Sequence, residues 1–169
     1  QIRFLANLIS SSADGWYYLL IPVAVALVSP PLGWTVFVAL IVGFAIERPS
    51  YFVLKNGFKR HRPPNIIPGF ESVITASDEF SFPSGHTSGA FLVATTLMLL
   101  APLGMFSCYL YGWAVAVALS RIVLGVHFPL DTVAGALLGS SIAWCAVQLI
   151  TLLLLPSLLL PSLLSAGLL

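Results

Sequence analysis

Residues 105–155 read MFSCYLYGWAVAVALSRIVLGVHFPLDTVAGALLGSSIAWCAVQLITLLLL, and this stretch decides the fold. Two apolar runs, 105–124 and 130–155, flank a break at 125–129 built around Gly125 and Pro129. An apolar helix needs about 20 residues to cross the hydrocarbon core of a bilayer, so each run predicts a membrane span. Arg121, His127 and Asp131 gather at the break rather than along the runs. Ionisable groups at membrane depth are costly, and they mark function by default.

Working outward, the rest of the chain has the same character. It is 59% hydrophobic and 8% charged, against about 25% charged in soluble domains. That composition excludes an ordinary soluble enzyme and predicts one integral membrane domain over residues 1–169. The net charge of +1 says little, but Lys55, Lys59, Arg60 and Arg62 fall within eight positions. Such a patch could meet nucleic acid or anionic lipid. Phe58, His61 and Pro63 interrupt it at a helix end, which favours a local anion site and no nucleic-acid partner. Cys108 and Cys145 stand alone in apolar stretches and read as small buried hydrophobes. No Cys/His cluster has zinc spacing, so no metal or cofactor is expected.

Residues 2–12 set Ile2, Phe4, Leu5, Leu8 and Ile9 against Arg3, Asn7 and three serines, the pattern of an interfacial amphipathic helix. Asp14 and Gly15 precede the aromatic belt Trp16-Tyr17-Tyr18, which opens a first span over about 16–29. Pro30 and Pro31 break it. A second span follows over about 33–54, with Glu47 and Arg48 near its far end. Residues 55–82 form the long polar connection, with Ile66, Ile67 and Phe70 suited to rest on the membrane surface. A third span, about 84–100, ends at Pro102. The predicted fold is all-α: a polytopic transmembrane helix bundle of five spans plus an N-terminal amphipathic helix. Lys55 ends the second span, Ser84 begins the third, Arg121 ends the fourth and Asp131 begins the fifth. Antiparallel packing then brings all these groups to one membrane face.

Their chemistry suits a phosphate. Lys55, Arg62 and Arg121 offer positive charge to a dianion, with arginine's planar fork matched to phosphate oxygens. Lys59 and Arg60 are expected to snorkel to the headgroups, and His61 to lie in solvated loop. Pro83-Ser84-Gly85-His86 reads as a helix start, with Pro in the first turn, Ser as cap and free N–H groups able to attract an anion. A helix beginning near 127 places His127 and Asp131 on one face, where the carboxylate fixes the imidazole tautomer. A capping Asp beside an interfacial His would give the same letters.

Lys55-(six residues)-Arg62-Pro63, then Pro83-Ser84-Gly85-His86, then Ser120-Arg121-(five residues)-His127-(three residues)-Asp131 resemble the three-part signature of the type 2 phosphatidic acid phosphatase (PAP2) superfamily. The motif region covers 55–131, and the span layout extends the likeness over about 16–150. The family's usual plan has a sixth, N-terminal span; here it is replaced by the amphipathic segment or lies upstream of Gln1.

The resemblance implies a membrane phosphatase acting on a lipid phosphate or diphosphate, of the undecaprenyl diphosphate, phosphatidylglycerol phosphate or phosphatidate class. It implies that His127 attacks phosphorus and forms a phosphohistidine, with Asp131 orienting it, and that His86 serves as general acid and then base. Lys55, Arg62, Ser84, Gly85 and Arg121 would hold the phosphate, without metal. Two other classes share the scaffold: vanadate-dependent haloperoxidases, which are soluble, and non-enzymatic lipid-phosphate binding or transport proteins. Counting Lys and Arg puts the active face in the cytoplasm. The resemblance instead implies a bacterial inner membrane with the site facing the periplasm or exterior.

Overall fold

The computed structural model describes residues 1–165 apart from Ser77 and Pro102, with side chains described as far as Leu153. Pro102, the expected end of the third span, therefore lies outside the described residues. The elements are α1 (Ile2–Ser11), a 3-10 turn (Gly15–Leu19), α2 (Leu20–Val28), α3 (Pro30–Phe58), α4 (Pro63–Ile66), α5 (Gly85–Leu100), α6 (Phe106–Val123) and α7 (Pro129–Ser165). Among the described residues the sole β pairing is one isolated bridge between His61 and Phe80.

Local chemistry accounts for the breaks. Pro30 and Pro31 occupy the first turn of α3, where a missing N–H costs nothing. The same helix ends where Lys59 adopts a left-handed conformation, φ 47°, and donates its N–H to Lys55 O. Gly125, at φ +76°, turns the chain between α6 and α7, a conformation that disfavours a side chain.

α5 forms the centre. Thr87, Ser88, Ala90, Leu92, Val93, Ala94, Thr96 and Leu97 are all buried, so the helix is enclosed on every side. α7 lies against it because Gly135 and Gly139 carry no side chain. A Cβ at Gly139 would stand 2.1 Å from Ser88 O, and one at Gly135 2.5 Å from Ser84 O. Small residues four apart let two membrane helices touch backbone to backbone. Here they draw the start of α5 onto the start of α7, and the Ser84 N–H donates to Asp131 O at 2.9 Å. Thr95 Oγ1 bridges to Tyr111 of α6 at 2.9 Å and to Ser140 of α7 at 3.3 Å, tying the core together by polar contacts. Outside, Leu27, Val28, Val53, Leu119, Leu137 and Leu152 are exposed, an apolar surface that fits lipid rather than water.

The protein is an all-helical integral membrane protein. Among the described residues three helices are individually long and apolar enough to cross: Pro30–Phe58, Phe106–Val123 and Pro129–Leu153. Ile2–Ser11 and Gly15–Val28 satisfy the same test jointly, with a 45° bend between them. α5, at 16 residues, is shorter than a standard span. Cys108 and Cys145 are free as expected, but both are exposed on the outer surface rather than buried.

Candidate active site

The end of the bundle that carries the α6–α7 break also carries the end of α3 and the start of α5. Arg62 Nη1 donates to Val126 O at 2.6 Å, joining the first cluster to the third. The Ser84–Asp131 backbone bond joins the second to the third. The connection after α3 folds back on itself, with the Ser81 N–H donating to Arg60 O at 2.7 Å, and then covers the break through Val73 N–H to Leu124 O at 3.0 Å. The convergence expected from antiparallel tracing is thus present in bonds.

A cavity of roughly 510 Å³ opens at this junction. Arg62, Gly85, His86, Arg121 and His127 line it. Leu19, Pro22, Phe37, Leu40, Ile41 and Phe44, from the 3-10 turn, α2 and α3, form its apolar wall. Lys55, Ser84 and Asp131 stand one layer behind. Lys55 is 5% exposed and bonds Tyr51 and Asp78, both of which do line the cavity. Ser84 is fully buried, and its hydroxyl meets Thr87 Oγ1 at 2.9 Å instead of capping a backbone N–H. Pro83 precedes the Ser84 cap position and lies outside the helix, not in its first turn. Close packing on Gly135 fixes the Ser84 backbone against α7.

His127 lies before α7 rather than on it, because the helix begins at Pro129. Its Nδ1 sits 3.8 Å from Asp131 Oδ2, and among the described residues that nitrogen has no hydrogen-bond partner. Asp131 is wholly buried; Oδ2 accepts the Phe128 N–H at 2.8 Å and Oδ1 accepts Arg60 Nη1 at 2.8 Å. Burial pushes the His127 pKa down to about 4, with Arg62 and Arg121 adding to the fall and Asp131 opposing it. The imidazole is therefore neutral at ordinary pH, with a lone pair available to attack.

Arg60 was expected to snorkel. Instead its guanidinium lies over the Phe128 ring, 4.4 Å from the centroid, and pairs with Asp131. The left-handed turn at Lys59 ends α3 at the residue before it, and the chain reverses there toward the start of α7. His61 is exposed, as expected.

Three acids or aromatics had no counterpart in the sequence expectations for the site. Asp78 accepts from Lys55, Tyr51 and both Arg62 Nη2 and Nε, the last through its backbone oxygen at 3.0 Å. Burial works against its charge, but the hydrogen bonds from Lys55 and Tyr51 and the charges of Lys55 and Arg62 prevail and hold its pKa at about 2. Asp14 Oδ1 meets His86 Nε2 at 3.0 Å. Arg121 Nη1 donates to Ser10 Oγ of α1 at 2.6 Å, while its Nε has no partner among the described residues. With only six acidic residues in the chain, each acid beside an apolar run was itself a signal.

Comparisons with known proteins agree with this architecture. A family model described as the PAP2 superfamily matches residues 31–153. An undecaprenyl-diphosphatase of Sulfolobus acidocaldarius is 32% identical over 142 residues, covering 82% of this chain and 66% of that protein. A lipid A 4'-phosphatase of Bacteroides thetaiotaomicron is 30% identical, covering 67% of this chain and 52% of its own length. The chain thus spans between half and two thirds of these two relatives. The crystal structure of Aquifex aeolicus LpxE superposes with a TM-score of 0.70 at 23% identity, covering 86% of this chain and 85% of that one, which shows a shared fold. With a helical bundle, three converging motif clusters and a family match across most of its length, the chain belongs to the PAP2 superfamily.

Proposed function

We propose that this protein is an integral membrane phosphatase that removes phosphate from a lipid phosphate or diphosphate through a phosphohistidine intermediate. The observation that carries this reading is the make-up of one cavity: Arg48, Arg62, Arg121, two histidines and two acids share it with an apolar wall of Leu19, Pro22, Phe37, Leu40, Ile41 and Phe44. A phosphorylated lipid combines the same two characters. Arg62 and Arg121 hold the non-bridging oxygens, with Lys55 reaching them past Tyr51 and the Gly85 N–H at the helix start adding its dipole. Asp78 is the anion these cations hold in the resting protein, and a phosphate dianion displaces it. Ser84 supports this wall from behind.

His127 attacks phosphorus. The ester bond breaks with its electron pair on the leaving oxygen, which takes a proton from His86. Water then attacks the phosphohistidine while His86 takes its proton, and the N–P electron pair returns to His127. The sum is ester plus water giving alcohol plus phosphate. Asp131 stabilises the charged imidazole as it forms. Cations do the charge stabilisation, so no metal is needed.

Five crossings fit this reading, with α1 and the Gly15–Val28 segment as one bent span and α5 as a short central one. At about 1.5 Å per residue the 16 residues of α5 fall short of the roughly 30 Å core. The site is assigned to the outer face of a bacterial inner membrane, on the family resemblance. Phosphate release from a panel of lipid phosphates in detergent, with and without EDTA, tests the function. Release from at least one lipid, unchanged by EDTA, is expected; no release from any, or strict Mg²⁺ dependence, contradicts it.

A further inference from the structure

The structure assigns Asp14 as the positioning carboxylate of His86, a second acid–imidazole pair serving proton transfer to the leaving group. This rests on the phosphatase reading above and adds a residue from outside the three motif clusters. Asp14 Oδ1 lies 3.0 Å from His86 Nε2, and both residues line the cavity. The position of Asp14 is fixed rather than incidental. On the same short segment Ser10 is 3% exposed and accepts from Arg121, Ala13 is 4% exposed in the core, and Ser12 Oγ accepts Trp113 Nε1 at 2.9 Å. Three anchors on α6 and the core therefore hold the turn that presents the carboxylate.

The surroundings give that carboxylate a task. Arg48 and Tyr51 of α3, Arg62 and Asp78 of the connection after it, Arg121 of α6 and His127 of the α6–α7 break face the same cavity. The cations disfavour a protonated imidazole. Among the described residues Asp14 is the carboxylate within hydrogen-bond reach of His86. By accepting the Nε2–H it fixes the ring and favours the protonated form. Nδ1 then gives its proton to the departing oxygen, and regains one from the attacking water in the second step.

The test exploits the leaving group. An alkoxide cannot depart without a proton, whereas a nitrophenolate can. The full chain and its Asp14→Asn and Asp14→Glu variants, in detergent, are assayed on dodecyl phosphate and on a nitrophenyl phosphate carrying the same dodecyl chain. The quantity compared is kcat/KM, which contains only the steps through leaving-group departure. Asp14→Asn is expected to lose about tenfold or more on the alkyl ester and about twofold or less on the aryl ester, with Asp14→Glu recovering most of the loss. Equal losses on both esters, or no loss on either, overturn the assignment. A wild type that cleaves neither ester contradicts the phosphatase reading itself.

Discussion

The two histidines of the site sit in opposite environments. His127 is 4% exposed, enclosed by the α6–α7 break and backed by an Asp131 that water does not reach. His86 has a side chain one third exposed to the cavity and is backed by a carboxylate that is itself half exposed. The dry imidazole is neutral, a state suited to a nucleophile; the wetter one can exchange protons with a leaving group and with water. Each is paired with an acid, but the acids differ as much as the rings. Asp131 is shared with Arg60 and a backbone N–H, while among the described residues Asp14 bonds His86 and no other side chain. Burial divides the labour between two residues of the same type.

That division can be broken from either side. His127→Ala is expected to abolish turnover, by about a thousandfold or more, because both chemical steps pass through its nitrogen. Steady-state phosphate release measures this, and near-normal activity contradicts the nucleophile assignment. His86→Gln should cost about a hundredfold or more on alkyl esters yet leave the first step intact for a good leaving group. A burst of nitrophenolate followed by slow phosphate release is the expected trace; loss of the burst would place His86 in the first step for every substrate. Asp131→Asn should lower kcat by about a hundredfold with little change in KM, since it removes charge behind the imidazole but not the phosphate-holding cations. Equal changes in both would point to collapse of the α6–α7 turn instead.

The smallest effect concerns the cations. Asp78→Asn should lower KM by about two- to fivefold, the worth of a part-exposed ion pair that substrate no longer has to displace. Inhibition by inorganic phosphate should strengthen in step. A raised KM would mean that Asp78 builds the cation geometry rather than competing for it.

The contrast between the histidines also explains what the sequence made legible. His127 and Asp131 are four residues apart beside a Gly/Pro break, so their pairing is written locally. Asp14 and His86 are 72 positions apart, and no spacing rule reaches that far. The same holds for Asp78 with Lys55 and Arg62. Arg60 looked like an ordinary headgroup cation because its direction depends on one left-handed residue, Lys59, which carries no glycine to announce it. Apolar run lengths located the helices well. They could not show the 45° bend between α1 and the Gly15–Val28 segment, or that α5 is buried along most of its length. Gly135 and Gly139 were visible as letters, but their consequence appears only once α5 lies on them.

Covalent labelling distinguishes attack by His127 from every other route. His86→Gln protein is mixed with a lipid phosphate bearing radioactive phosphorus on a good leaving group, then quenched in alkali, where phosphohistidine survives. Alkali-stable, acid-labile label is expected on the peptide containing His127, and none when His127→Ala is added. Label on another residue, or phosphate release by the wild type with no trapped phosphoenzyme in the variant, would contradict it.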